Sequence, residues 1–157
     1  MRDFIPIARP IIGQEEIDAV EKVLKSGMLA QGEAVKSFED EFAAYLGVKN
    51  AIAVNNGTVA LDLAIKALDL EPGSEIITPA FTFIATANCA LYQGLRPVFA
   101  DVDEKTFNID PDDLQERITP RTKAVIGVHL YGQPFPLSAV QEICQERNIA
   151  LVEDCAQ

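Results

Sequence analysis

The sequence has one histidine, His129, and three cysteines, Cys89, Cys144 and Cys155, with no paired spacing among them. No C-x-x-C occurs, so a zinc site of the usual Cys/His kind has no local motif to start from. Small buried thiols in a reducing compartment are the simpler reading. No apolar run approaches the ~18 residues of a membrane span, and MRDFIPIARP has no stretch long enough for a signal sequence. These absences lead us to expect a cytoplasmic protein. Basic residues are also scarce, 13 against 24 acidic ones, for a net charge of −11. That argues against nucleic acid or an anionic membrane as partner, because both need a basic face. With 9 glycines and 9 prolines in 157 residues, collagen-like and low-complexity classes are excluded.

Enough apolar residues remain, 48%, for one globular domain of ordinary size. Pro6 and Pro10 keep the first 13 residues extended. Helical spacing of Ile17, Val20, Val23 and Leu24 predicts a helix over Gln14–Ser26, stopped by Gly27. A second helix is expected at Glu33–Leu46, with the stripe Val35, Phe38, Phe42, Tyr45 and Leu46 and Gly47 as its stop. Short apolar runs then alternate with helical patterns. Strands are expected at Ala51–Val54, Glu75–Thr78, Pro97–Ala100, Lys123–His129 and Ile149–Glu153. Helices are expected at Thr58–Leu68, Phe83–Tyr92, Pro111–Ile118 and Leu137–Arg147. Runs such as AVIGVHL do not alternate, which indicates strands covered on both faces. The pattern is that of an α/β fold, three layers with a mostly parallel sheet.

In such sheets ligands collect beyond the carboxyl ends of the strands. There the sequence places Asn55-Asn56-Gly57-Thr58, the Pro79–Phe83 segment, Asp101 and Asp103, His129–Gln133 and Asp154–Gln157. The N–H groups of Gly57, Thr58 and Val59 at a strand–turn–helix junction suit a phosphate, although Asn-Gly-Thr is equally a plain turn and cap. No G-x-x-x-x-G-K-[ST] and no G-x-G-x-x-G is present, which leaves P-loop and Rossmann readings without a fingerprint. Asn55-Asn56 stands where a phosphorelay receiver would carry an acidic pair. Asp101-Val-Asp103 reads as a solvated turn rather than a metal pair.

Three segments, NNGTVALDLAIKALDLEPGSEIITPAFTFIATANCAL, PVFADVDEKTFNIDPDDLQERITPRTKAVIGVHLYGQP and VEDCAQ, resemble the sugar aminotransferases of the DegT/DnrJ/EryC1/StrS family. The resemblance implies the fold type I architecture of aspartate aminotransferase-like enzymes, with pyridoxal 5′-phosphate (PLP) as cofactor. It implies that residues 1–48 form an N-terminal arm with helices on the large domain. Residues 49–157 would be the first part of that PLP-binding domain, truncated before its remainder and the small domain. Gly57 and Thr58 match the phosphate-binding turn, and Phe83 the aromatic on the cofactor ring, with Phe81 as runner-up. Asp154 matches the acid paired with the pyridine nitrogen, and Gln157 the partner of the phenolic oxygen. His129 stands in the VHLYGQP signature, where a structural and a functional role are equally open.

The implied activity is amino transfer, usually from glutamate, to the keto group of a nucleotide-linked sugar, by a homodimer with its active site at the subunit interface. The family's Schiff-base lysine falls beyond residue 157, and no lysine from Lys22 to Lys123 matches it. The chain alone is therefore expected to be inactive. Two alternatives follow: a dehydratase of the same family, with histidine in the lysine's place, or a non-catalytic fragment.

Overall fold

The computed structural model of the chain describes Pro6 and residues 9–157. Of the extended opening expected over residues 1–13, positions 1–5, 7 and 8 therefore lie outside the described residues. Two units form, Met1–Ala53 and Val54–Gln157.

In the first unit, α1 (Gln14–Ser26) opens with the Glu16 carboxylate accepting the Gly13 N–H at 2.6 Å and stops at Gly27, φ 72°. Helix α2 (Glu33–Leu46) stops at Gly47, φ 68°, where the Val48 N–H returns to Ala43 O at 3.0 Å. Both run over the residues the periodicity predicts. Their apolar stripes remain largely open: α1 buries no residue and α2 only Ala43. The strand expected at Ala51–Val54 does not form. Among the described residues that segment has no ladder partner, and the Ala53 N–H is taken instead by Glu39 Oε1 at 2.8 Å.

The second unit runs α3 (Gly57–Ala67), β1 (Glu75–Pro79), α4 (Ala85–Tyr92), β2 (Arg96–Ala100), α5 (Pro111–Arg117), β3 (Thr122–Val128), α6 (Leu137–Arg147) and β4 (Ala150–Asp154). A 3₁₀ turn, Leu130–Gly132, follows β3. Helix α4 starts two residues later than expected, leaving Phe83 and Ile84 in the loop before it. Asp110 caps α5, its side chain accepting the Asp112 N–H, and Pro111 fills the first helical position, which needs no donor.

The strand order is β2-β1-β3-β4 and every pairing is parallel. Right-handed crossovers then dictate the layers. The step from β1 to β2 runs one way along the sheet, whereas β2 to β3 and β3 to β4 run the other. Helix α4 therefore lies on one face with α3, and α5 and α6 lie on the opposite face. The two cores follow this division. Leu61, Ile65 and Cys89 pack on Ile76 and Ile126; Leu114, Val140 and Ile143 pack on Ile77 and Val125. This is a three-layer α/β/α arrangement with a parallel sheet, as the resemblance to fold type I implies.

Gly127 in β3 is a close-approach position, since a Cβ there would overlap the Phe135 ring. At the amino end of β1 the buried Glu75 carboxylate takes the Arg121 guanidinium at 2.6 Å and the Thr119 hydroxyl at 2.5 Å. Those two donors hold the Glu75 carboxyl below the usual carboxylate range. Among the described residues no helix is long and apolar enough to cross a membrane.

Candidate functional site

The strand order reverses at β1, whose neighbours β2 and β3 are reached by crossovers on opposite faces. Such a switch point opens a crevice beyond the carboxyl ends of the strands. The loops there are Ala80–Ile84 after β1, His129–Pro134 after β3 and Cys155–Gln157 after β4. The start of α3 joins them: a Cβ built on Gly57 would stand 3.7 Å from the Cβ of Ala156.

At that helix start Asn56 caps, its Oδ1 accepting the Val59 N–H at 2.9 Å. The N–H groups of Gly57 and Thr58 donate to no group among the described residues and are exposed. Two such donors beside the positive end of a helix dipole are chemically suited to an anion.

Asp154 ends β4 in register with Val128. Its Oδ1 accepts the Ala156 N–H at 3.0 Å, and its Oδ2 lies 3.4 Å from the hydroxyl of the fully buried Thr86 in α4. Thr82 Oγ1 extends that contact, 3.2 Å from Thr86 Oγ1. No basic side chain pairs with Asp154 among the described residues. A half-buried carboxylate held only by neutral donors keeps the capacity to take a cationic N–H.

Glu153 points to the other face, where His129 Nε2 meets its Oε2 at 3.1 Å. The His129 ring stacks on Phe135 at 4.6 Å. The chain's one histidine thus serves the back of the sheet, although its backbone N–H bonds Asp154 O at 3.1 Å.

Gln157 is tied to the loop after β3 by its Oε1, which accepts the Tyr131 N–H at 3.1 Å. Phe83 is 65% exposed, whereas Phe81 leans on Phe107 with ring centroids 5.9 Å apart. Asp103 accepts the N–H groups of Lys105 and Thr106 and so closes its own turn. One residue here escapes sequence reasoning. Asn108, buried between β2 and α5, bonds the Leu130, Gln133 and Pro134 backbone. No local signal marks it, since those partners lie 22 to 26 residues onward.

A family model of the DegT/DnrJ/EryC1/StrS aminotransferase family matches residues 10–157. The chain is 48% identical over 153 residues to the spore coat polysaccharide biosynthesis protein SpsC of Bacillus subtilis, covering 98% of this chain and 39% of the relative. It is 42% identical to a dTDP-4-dehydro-2,3,6-trideoxy-D-glucose 4-aminotransferase of Saccharopolyspora spinosa, covering 98% and 40%. Among solved structures it superposes on the aminotransferase TlmJ from Streptoalloteichus hindustanus with a TM-score of 0.92 at 41% identity, covering 98% and 42%. It also superposes on the E. coli GDP-4-keto-6-deoxy-D-mannose-3-dehydratase with bound hydrated PLP, at a TM-score of 0.90 and 38% identity, covering 96% and 40%. The chain thus spans about 40% of the length of the curated relatives it matches.

Proposed function

The chain belongs to the DegT/DnrJ/EryC1/StrS aminotransferase family, and on that premise we propose that it carries part of the PLP pocket of an enzyme that aminates a nucleotide-linked keto sugar. Glutamate is the proposed amino donor. The observation that carries this reading is the close approach of the Gly57 position to Ala156, a Cβ built on the first standing 3.7 Å from that of the second. It brings two N–H donors with no acceptor among the described residues, fit for a phosphate, to the segment that begins with Asp154, a carboxylate with no cationic partner among the described residues.

The residues present fit the cofactor. Gly57 and Thr58 would hold its phosphate with their N–H groups. Phe83, exposed and free of ring partners among the described residues, would cover one face of its ring. Asp154 would pair with the pyridine nitrogen and keep its proton in place. Gln157 would donate to the phenolic oxygen. When bound, PLP supplies an electron sink for negative charge developing on the substrate carbon. Asp154 would stabilise the protonated ring nitrogen, its carboxylate being held in place by Thr86 and the Ala156 N–H.

In this reading residues 1–48 are the N-terminal arm and residues 49–157 the first part of the PLP-binding domain. The lysine that the family resemblance implies as the cofactor's link would lie in the part of the relatives' length that this chain does not span. A homodimer with the active site at its interface is supported by the open stripes Ile17, Val20 and Leu24 of α1 and Phe38 of α2.

The match to the E. coli dehydratase favours a second reading, dehydration of a similar sugar. One assay separates the two. The protein at its native length, with PLP and glutamate, is offered GDP-4-keto-6-deoxy-D-mannose and dTDP-linked 4-keto sugars. An amino sugar in the product mass spectrum supports the aminotransferase, and loss of water without nitrogen gain supports the dehydratase. Asp154→Asn should lower turnover by about 10²-fold or more, the scale of removing one oriented electrostatic group. Unchanged turnover would remove Asp154 from the proposed site.

A further inference from the structure

Asn108 is only 1% exposed, and all of its polar groups are engaged. Its Nδ2 donates to Gln133 O at 3.1 Å and Pro134 O at 3.4 Å, and its Oδ1 accepts the Leu130 N–H at 3.2 Å. Its own backbone is fixed as well, the N–H on Thr106 Oγ1 and the carbonyl under the Asp103 N–H. One side chain thereby grips the loop after β3 on both sides of Tyr131. That grip matters because Tyr131 sits at φ 52°, the left-handed region that a residue with a Cβ avoids. In this conformation the Tyr131 N–H reaches Gln157 Oε1 at 3.1 Å. An amide whose oxygen is taken by a donor must present its NH₂ elsewhere, and Gln157 Nε2 has no acceptor among the described residues.

We infer that Asn108 is a positioning residue for the cofactor's phenolic oxygen: by fixing Leu130, Gln133 and Pro134 it sets the Tyr131 N–H that orients the Gln157 amide with its NH₂ toward the site. This rests on the PLP reading above. Asn108 never touches the cofactor and acts through two intermediaries, so its effect must vanish when Gln157 is absent.

The test is a double-mutant cycle read by the pH titration of bound-cofactor absorbance, using the protein at its native length. A hydrogen bond to the phenolic oxygen favours its anionic form. Gln157→Ala and Asn108→Ala should therefore each raise the titration midpoint, by about half to one pH unit, the worth of one hydrogen bond. The double variant should titrate with Gln157→Ala. A midpoint unchanged in Asn108→Ala, or a full further shift in the double variant, overturns the inference.

Should Asn108→Ala fail to fold, hydrogen exchange at the Tyr131 amide keeps the question open to refutation. The amide should exchange slowly in the wild-type protein and faster in Gln157→Ala, and equal rates overturn the link. A wild-type protein without bound-cofactor absorbance overturns the PLP reading instead, and Tyr131 amide exchange in Asn108→Ala, as fast as in Gln157→Ala if Asn108 sets that amide and as slow as in wild type if it does not, then decides the Asn108–Gln157 link.

Discussion

Gly57 and Ala156 stand in contact range across nearly a hundred residues of chain, with 3.7 Å between a Cβ built on the first and the Cβ of the second. The distance is ordinary van der Waals contact, so Gly57→Ala should leave the thermal midpoint unchanged or slightly raised. Gly57→Leu is different, because a branched side chain growing from a Cβ already 3.7 Å from that of Ala156 would crowd the start of α3. It should weaken PLP binding at least about tenfold, or ~1.4 kcal/mol, while binding of pyridoxal without the phosphate changes little. Equilibrium dialysis with both compounds checks this. An equal loss for both would mean that the α3 start does not hold the phosphate.

The two phenylalanines after β1 should separate by readout. Phe83 is mostly exposed, so Phe83→Ala should cost less than about 0.5 kcal/mol of stability. Its cofactor affinity should nonetheless fall roughly tenfold, as expected for a lost ring contact. Phe81 already packs against Phe107, so Phe81→Ala should lower stability by about 1 kcal/mol and affinity less. Greater loss of affinity in Phe81→Ala would exchange their roles.

Behind the site, Gly127→Ala would drive a Cβ into the Phe135 ring, which is itself buried and stacked on His129. Overpacking of this kind should cost about 1–3 kcal/mol. Phe135→Leu alone should also destabilise, through lost packing. The pair Gly127→Ala with Phe135→Leu should lose less than the sum of the two, as denaturant titration would show. Strict additivity would contradict the close approach.

What the sequence discloses depends on how far apart the interacting residues lie. Helices α1 and α2 run over the residues read from their stripes, because Gly27 and Gly47 stop them locally. Ala51–Val54 has strand composition but no strand, because a strand is defined by a partner and Glu39 took the Ala53 N–H instead. The order β2-β1-β3-β4 is carried by pairing, which alternation and capping do not encode. Phe83, Asp154 and Gln157 stand at or just beyond the carboxyl ends of β1 and β4, as the βα rhythm predicts, whereas Gly57 and Thr58 open α3 after a segment that forms no strand. Asn108 and the His129–Glu153 pair were invisible, since each bond spans more than twenty residues and ends on backbone or on a residue of another strand.

The acid limb of stability should trace to Glu75. Its folded carboxyl titrates below the ordinary range because of the Thr119 hydroxyl and the Arg121 guanidinium. The stabilisation is complete above the unfolded value, roughly pH 4.3, and is lost as pH falls through the lower folded one. Thermal midpoints should therefore drop on acidification below that point. Glu75→Gln should be less stable at pH 7 and show a shallower acid limb. An acid limb unchanged by the substitution would assign it to other carboxylates.

The central claim is that this chain helps to form a PLP pocket, and intact mass spectrometry tests it most directly. The protein at its native length is incubated with PLP, reduced with borohydride and weighed. One pyridoxyl phosphate group per chain, reduced in wild-type protein and diminished in Gly57→Leu, is the predicted result. An unmodified mass, together with complete loss of the cofactor on dialysis before reduction, would contradict the account.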